Sequence, residues 1–413
     1  MAAQTQKPVL IAGAGLASLL LGRSLLRSRI PFTIFERDAS LTFRGQGYRL
    51  RLSTEGLDAI EEVLGPDANG FPKFWEKTGK TAGAMGFAAL DAVTGEVLDT
   101  SEPPKPKEGE EEKKPKAVKG ELKSREGKTI GISRGDMRAL FLEGLEERVR
   151  WGHNVTGYEL TSEGVRATFA DGSKSEEGSL LVGGEGIYSK VAKQLSNGAL
   201  KVYDTGARGI HGQAPTTAFK ALGEGVWRIV DDTHPKGKVF VITNVRPGDM
   251  DDESIEFGWT MGGTPGVISP PGNDYALIGK PAADIAKDLT KNWNERVKPL
   301  FDHMNVENAA FWKITCSTPS GVPSWKNEPR VTVIGDAVHS MTPAGGIGAN
   351  TAVRDSALLG RLIAEAGGFR EGLTAEYEEK MKAYANEAVA QSYGMATKQF
   401  GVVIDEKTSA TVN

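Results

Sequence analysis

Both ends of this 413-residue chain carry a short apolar strand that runs into a glycine-rich turn and then into a helix. Near the start, residues 8–12 precede Gly13-Ala14-Gly15, and near the end residues 331–334 precede a turn over residues 335–350. A helix that begins at such a turn presents orphan backbone N–H groups and partial positive charge, which favour an anionic or polar ligand. The two segments therefore predict an α/β fold in which both ends of the chain hold one ligand.

The first segment has the spacing of a dinucleotide-binding βαβ unit. A second apolar strand ends in Glu36, about 20 residues after the turn, where an acid accepts hydrogen bonds from a ribose diol. Gly13 and Gly15 allow a tight turn and the close approach of a pyrophosphate, and Ser18 stands at the third glycine position. An ordinary strand-to-helix turn is the alternative for this pattern.

The second segment delivers a carboxylate, Asp336, at the end of a buried strand. A carboxylate there suits a ligand with hydroxyl groups, and the helix that follows suits its charged part. His339 is interpreted as a hydrogen-bonding residue of the turn. A ligand with both a diphosphate and a polyol would satisfy both ends of the chain.

Five blocks follow one another along the chain: Gly13-Ala14-Gly15 with Glu36-Arg37, residues 44–48, residues 133–140, residues 181–191 and residues 335–350. Together they resemble the single-component, FAD-dependent aromatic monooxygenases related to para-hydroxybenzoate and salicylate hydroxylases. The family pattern has Asp where Glu185 stands and often Arg where Ala192 stands, so nicotinamide binding is the property these departures affect. A plain strand-to-helix turn is the alternative for the fourth block.

The resemblance implies a Rossmann-like FAD-binding domain of α/β class, an interleaved antiparallel-sheet substrate domain and a C-terminal helix. It implies non-covalent FAD, with cofactor-binding residues Gly13, Gly15, Glu36, Arg37, Gly47, Arg134, Asp336, Pro343, Gly346, Gly348, Ala349 and Asn350. Candidate substrate contacts are Tyr48, Arg49, Arg51 and Arg208, although surface ion pairs explain lone arginines equally well. No catalytic base is assigned.

The activity implied is insertion of one oxygen atom from O₂ into a small, aromatic or polycyclic substrate through a flavin C4a-hydroperoxide, with NAD(P)H as reductant. Ring hydroxylation, epoxidation and Baeyer–Villiger insertion stay open, as does the choice of NADH or NADPH. An oxygen-independent FAD oxidoreductase and a flavin-binding protein without turnover are the alternatives. The chain holds no second glycine turn of dinucleotide type for NAD(P)H.

Composition agrees with a cytoplasmic enzyme of more than one domain. The net charge of −4 gives no reason to expect nucleic acid or a membrane as partner, and a monomer or homodimer is expected. No apolar run is long enough to span a membrane. The single cysteine, Cys316, is interpreted as a core residue, and the five histidines lack the spacing of a metal site, so no metal is expected.

Residues 102–128 are almost entirely Lys, Glu, Pro, Gly and Ser. This composition predicts a mobile, solvated insertion, and docking of a partner is the alternative.

The predicted division of the chain is FAD-binding domain 1–84, 131–204 and 323–370; substrate domain 85–130 and 205–322; C-terminal helix 371–413. Helices are predicted over 140–149, 282–304, 351–366 and 375–399, the last with Thr374 as N-cap. Strands are predicted over 154–160, 165–169, 216–221, 226–230, 238–244, 254–260 and 313–317.

Overall fold

The computed structural model describes residues 6–41, 49–82, 88–98, 124–223, 225–245, 250–252, 255–270, 272 and 277–412. The first nine strands are β1 Val9–Ala12, β2 Phe32–Glu36, β3 Arg49–Leu52, β4 Gly79–Ala82, β5 Ala88–Asp91, β6 Val97–Leu98, β7 Lys128–Ser133, β8 Val149–Trp151 and β9 Val155–Leu160. The others are β10 Val165–Phe169, β11 Leu180–Gly183, β12 Val202–Pro215, β13 Gly225–Asp231, β14 Val239–Val245, β15 Glu256–Gly263, β16 Ala310–Ser317 and β17 Val331–Val333.

The α-helices of the described residues pack mainly around a parallel sheet that contains β1, β2, β8, β11 and β17. They are α1 Leu16–Arg27, α2 Thr54–Leu64, α3 Phe71–Lys77, α4 Arg134–Leu142, α5 Lys190–Leu195, α6 Lys280–Thr290, α7 Pro299–Asp302, α8 Asp336–His339, α9 Gly348–Glu365 and α10 Leu373–Phe400. Helix α9 packs against α1, α2 and α10, so the two ends of the chain share one core.

A parallel sheet in the order β17-β11-β1-β2-β8 forms the centre of that core. Its strands are short and almost continuously apolar, because helices cover both faces. The order places β1 beside both β2 and β11, and β17 next to β11. The carboxyl ends of β1, β2, β11 and β17 therefore lie along one edge, which confirms the predicted α/β fold.

A second sheet runs in the order β16-β12-β15-β14-β13-β5-β6. It is antiparallel as predicted, apart from one parallel pair, β13 with β5. One face packs on α6 and α7 around Trp259 and Phe301. The opposite face turns toward α10 and the 343–347 turn, where Phe240, Ala344 and Phe400 meet.

Several predicted elements differ from those observed. The helix predicted over 282–304 ends at Thr290, and Pro299 opens a separate turn of helix, because proline favours the first position of a helix. Residues 216–219 form a 3₁₀ turn rather than a strand. The helix predicted over 140–149 begins earlier, at Arg134, and ends at Leu142.

Two further differences concern the ends of elements. Helix α10 begins at Leu373 after Gly372, whose φ is 77°, so Thr374 lies inside the helix and not at its N-cap. The long strand β12 was missed, because its glycines interrupt the alternating pattern.

The C-terminal part of the predicted insertion lies within the described residues and is packed. The Ser124 hydroxyl donates to the Leu52 carbonyl, and Arg125 forms ion pairs with Asp58 and with Glu61 on α2. Residues 101–123 lie outside the described residues.

The boundaries between the two domains stay a prediction. No helix of the described chain is both long and apolar enough to cross a membrane.

Candidate cofactor and substrate site

Three turns meet where β1, β11 and β17 end. The Gly184 N–H donates to the Ala12 carbonyl over 2.8 Å, and the Ile334 N–H donates to the Gly183 carbonyl over 2.9 Å. Gly13 has φ 86°, and a Cβ there would stand 2.7 Å from the Gly184 carbonyl oxygen. Only glycine fits this close approach. The glycine turns that the sequence singled out are thus neighbours in space.

Glu36 lies at the end of β2 beside the first turn. Its Oε2 accepts from the Ala14 N–H over 2.7 Å and its Oε1 from the Asp38 N–H over 2.9 Å. The carboxylate is buried, and these two bonds fix its orientation. Arg37 next to it is exposed, with its Nε 3.9 Å from Asp38 Oδ1. Glu36 therefore lies at the end of β2, with its carboxylate bound to the backbone of the first turn.

Helix α4 brings two arginines to the same edge. Ser133 caps the helix by accepting from the Asp136 N–H over 3.0 Å. Arg134, the first residue of the helix, is half-buried and close enough to Asp336 and His211 to affect the pKa values of both. Arg138, which sequence reasoning missed, donates from Nε to the Ala14 carbonyl over 2.9 Å. Its position one helical turn after Arg134 is the signal that could have indicated it.

Asp336 opens α8 directly after Gly335, whose φ is 61°. Its side chain keeps access to solvent although protein atoms crowd around it. This desolvation raises the pKa of the carboxyl, while the positive charges of His339 and Arg134 oppose the rise. A carboxylate with open access at this edge can accept hydrogen bonds from a polyol.

A buried network lies directly behind Asp336. Asp355 Oδ2 accepts from the Gly335 N–H over 2.7 Å and lies 2.7 Å from His339 Nε2. Asp355 Oδ1 accepts from the Tyr384 hydroxyl over 2.7 Å. Burial lowers the pKa of His339, but the Asp355 charge and hydrogen bond outweigh it, so the pKa is raised overall. His339 is therefore a hydrogen-bonding residue of the turn, as predicted.

The turn from Pro343 to Asn350 carries two glycines in the left-handed region, Gly345 at φ 79° and Gly346 at φ 62°. Helix α9 begins at Gly348, so the N–H groups of its first turn have no partner inside the helix. The Asn350 amide donates to the carbonyls of Arg51 and Gly346 and accepts from the Ser53 N–H. Its side chain thus ties β3 to the turn.

Glu185 follows β11 and lies next to the first turn. Its Oε1 accepts from the Val191 N–H over 2.9 Å, which caps α5 together with Ser189. Its Oε2 is buried and accepts no hydrogen bond from the described residues, and burial raises the pKa of the carboxyl. The extra methylene of Glu is accommodated by this capping arrangement.

The face of the second sheet that looks toward the turns is aromatic. His211 stacks on Trp312 with ring centres 4.7 Å apart, and its Nδ1 lies 3.1 Å from Thr260 Oγ1. Burial lowers the pKa of His211 to about 3, with Arg134 adding to the effect, so the ring is neutral. A Cβ at Gly209 would lie 2.5 Å from the Trp312 ring, so the glycine makes room for it. Sequence reasoning named the segment of His211 but not this residue.

The structure describes the predicted substrate contacts only in part. Tyr48 lies outside the described residues, as does Gly47, a predicted cofactor residue, and only the backbone of Arg49 is described, paired with Ser133. Arg51 Nη2 donates to the Gly345 carbonyl over 3.0 Å, so this residue borders the turn. Arg208 forms a bidentate ion pair with Asp204, at 2.6 and 3.1 Å, which occupies its guanidinium.

Within the described residues, no group of three or more His, Cys, Asp or Glu side chains could hold a metal ion.

Comparison with known proteins agrees with this geometry. A family model described as an FAD binding domain matches residues 6–392. The dual O-methyltransferase/FAD-dependent monooxygenase elcB of Phaeosphaeria nodorum is 29% identical over 90% of this chain, which spans 42% of that protein. The chain spans less than half the length of the first three curated relatives. The FAD-dependent monooxygenase aptC of Emericella nidulans is 28% identical, with 93% of each chain covered.

Solved structures share the fold over nearly the whole chain. A putative FAD-containing monooxygenase from Photorhabdus luminescens is similar with a TM-score of 0.71 and 26% identity, over 96% of this chain and 99% of its own. A salicylate hydroxylase substrate complex is similar in fold, with a TM-score of 0.68 and 16% identity, over 98% of this chain and 91% of its own. The site and these matches together show that the chain belongs to the FAD-binding-domain family of flavoprotein monooxygenases.

Proposed function

We propose that this protein uses FAD, NAD(P)H and O₂ to insert one oxygen atom into a small aromatic or polycyclic substrate. The observation that carries the proposal is the meeting, at one edge, of Glu36, Asp336 and the first turn of α9, opposite the aromatic face of the second sheet. When bound, FAD supplies the transfer of electrons and the activation of oxygen.

The residues present fit an FAD molecule. Glu36 suits the adenosine ribose, the glycine turn at Gly13 suits the diphosphate, and Asp336 suits the ribityl hydroxyls. The N-terminus of α9, with Gly346, Gly348 and Ala349 before or within its first turn, would stabilise negative charge on the ring system. Arg37, Arg134 and Pro343 are proposed as further cofactor contacts.

The aromatic face would position the substrate and exclude water. The Trp312 and His211 rings are stacked with an interplanar angle of 5°, and Phe240 stacks on Phe400 at 4.5 Å. Flat walls of this kind favour flat ligands. Because His211 is neutral, it can accept or donate a hydrogen bond without bringing a charge.

The test begins with the cofactor. Protein denatured by heat should release FAD rather than FMN, because Glu36 stands at dinucleotide spacing. The holoenzyme is then screened for consumption of NADH or NADPH and of O₂ with phenols, indoles and polyketides, and products are analysed after reaction under isotopically labelled O₂. Label in a product supports the proposal. Substrate conversion without oxygen consumption would indicate the oxygen-independent oxidoreductase, and failure to reduce the flavin would indicate a protein without turnover.

A further inference from the structure

The segment that follows α10 lies along the beginning of β12. We call this segment, residues 402–412, the strap. The Asp204 N–H donates to the Ala410 carbonyl of the strap over 2.9 Å. In the other direction, the Val412 N–H donates to the Val202 carbonyl, also over 2.9 Å. The strap thus forms a short antiparallel contact with β12.

Glu406 joins the strap to a second segment. Its carboxylate accepts from the Ser320 N–H over 2.7 Å and from the Ser320 hydroxyl over 2.9 Å. Ser320 lies in the connection between β16 and β17. The backbone carbonyl of Glu406 accepts from the Tyr203 hydroxyl of β12 over 3.0 Å. One residue of the strap therefore holds β12 and the connection after β16 together.

Both of these attachment points lie where the chain passes between its two main sheets. On the way out, Leu200 packs in the core of the parallel sheet, and Ile210 packs with α6 and α7. On the way back, Phe311 packs with α6 and α7, and Val322 packs again in the core of the parallel sheet. The strap binds the chain between these positions on both passages.

The two passages run side by side and share a bend. Strand β12 pairs with β16 up to Asp204 and again from Arg208, with a shift of register between them. Gly206, within the interrupted part, has φ 77°. A bulge of this kind bends a strand and interrupts its hydrogen-bond ladder. Residues 205–207 therefore form a hinge between the two sheets, and the strap is attached on the parallel-sheet side of it.

Polar contacts hold most of the strap in place. Val402 is fully buried, whereas Val403 is 76% exposed. None of residues 403–412 is buried. A segment with few buried apolar contacts and exposed hydrogen bonds opens at a low cost in free energy. The strap can therefore detach while α10 and both sheets stay folded.

We propose that the strap holds the second sheet against the 343–347 turn, and that its release lets this sheet rotate about the hinge and open the cleft. Val402 lies in one apolar cluster with Phe240 of the second sheet and Ala344 of the turn, so the strap is joined to the contact between them. Ligands enter and leave while the cleft is open. The inference rests on the proposed function, because it takes this cleft as the place of FAD.

Two point variants loosen the strap in the full-length chain. Glu406→Ala removes the acceptor for both bonds from Ser320. Val412→Pro removes the N–H group that donates to Val202, because proline has no backbone donor. Glu379→Ala, at an exposed glutamate of α10, is the matched control.

The first measurement is the distance between spin labels in the FAD-loaded protein. The labels are attached to Lys193→Cys on α5 and Lys236→Cys between β13 and β14, two exposed positions, whereas Cys316 is buried. Wild type and the control should give one main distance. Each strap variant should enlarge a second population by about 2- to 12-fold, the value of a lost hydrogen bond, and the double variant should enlarge it further.

The second measurement is the kinetics of FAD binding and release, followed by flavin fluorescence. A ligand that passes only through an open cleft enters and leaves at rates that both follow the open population. Because the strap makes no contact that differs between the free and the FAD-bound cleft, both rates should rise by one factor. The dissociation constant for FAD should stay within about 2-fold of wild type.

An unchanged distance distribution in the double variant would overturn the proposal. So would faster FAD release with unchanged association, because the strap would then support the cofactor site itself. A lower melting temperature with unchanged distances and rates would also overturn it, since the strap would be only a structural element. If distances and rates change as expected but no product carries oxygen from O₂, the monooxygenase proposal fails and the strap proposal stands.

Discussion

At the scale of single residues, the site depends on carboxylates whose environments differ. Glu36 is buried and accepts from two backbone N–H groups, whereas Asp336 is exposed. The two acids therefore differ: Glu36 fixes the first turn, and no hydrogen bond from the described residues engages the Asp336 carboxylate, which we propose as a ligand contact. Substitution separates these two roles.

Asp336→Ala should weaken FAD binding by roughly 10- to 150-fold, the value of a charged hydrogen bond, while the fold survives. Since the pKa of Asp336 is raised, wild-type affinity should also begin to fall on acidification at a higher pH than for an ordinary aspartate. Equilibrium titration with FAD at several pH values measures both effects. Asp171→Asn, at an exposed turn, serves as the control. Full FAD retention in Asp336→Ala would show that this carboxylate is not a cofactor contact.

His339 should make stability depend on pH. Its folded pKa lies above the ordinary value of 6.5, because Asp355 and Asp336 attract its proton. Stabilisation by the charged ring is therefore complete below about pH 6.5 and is lost as the pH rises through the raised folded pKa. The difference in unfolding free energy between wild type and His339→Asn should shrink as the pH rises. Urea unfolding from about pH 5.5 to 8.5 tests this, and a constant difference would mean that the pKa of His339 is the same in the folded and unfolded states.

At the scale of elements, α10 supports the cofactor turn from behind. Tyr384 holds Asp355, Ser392 and Thr342 exchange hydrogen bonds, and Met395 packs against Gly345. Arg354 lies 4.2 Å from the centre of the Tyr384 ring. Helix α10 therefore makes polar contacts with the turn in addition to its core packing.

Two tyrosines of α10 allow a matched test of that support. Tyr384→Phe removes a hydrogen bond to Asp355, so it should weaken FAD binding by roughly 3- to 10-fold. Tyr377→Phe removes a hydrogen bond to the Val333 carbonyl on β17 and should lower stability with little change in FAD affinity. FAD titration and thermal unfolding of both variants decide the matter. Equal effects on FAD binding would mean that α10 acts only through general packing.

At the scale of the whole molecule, the charged segment before β7 should be dispensable only in part. Replacing residues 103–121 with a short Gly/Ser link should leave the melting temperature and FAD content nearly unchanged, because this composition cannot form a core. Extending the deletion through Arg125 should lower the melting temperature, because it removes Ser124 from the Leu52 carbonyl and breaks the ion pairs with Asp58 and Glu61. Comparable melting temperatures of the two deletions would contradict the packing of residues 124–125.

Reduction of the flavin should depend on substrate. The sequence has one dinucleotide turn, which the proposal gives to FAD, so NAD(P)H would bind transiently and substrate would shift the population toward a reducible arrangement. Anaerobic stopped-flow reduction by NADH and NADPH, with and without a verified substrate, measures this. Equal rates in both conditions would remove the gating idea and leave the oxygen chemistry untouched.

The parallel core, and the edge at which the glycine turns meet, could be predicted from the sequence. Short apolar strands, glycines at positions of positive φ and acids at strand ends are local signals, so Gly13, Glu36 and Asp336 could be found from spacing alone. Cys316, likewise, is buried as its position in a strand predicted.

Which side chains are engaged by others depends on the tertiary structure. Arg208 was a candidate substrate contact, yet an ion pair with Asp204 occupies its guanidinium. The pairing of His339 with Asp355, and of Asp355 with Tyr384, joins residues far apart in the chain. Strand register and helix packing create these contacts, and no local pattern encodes them.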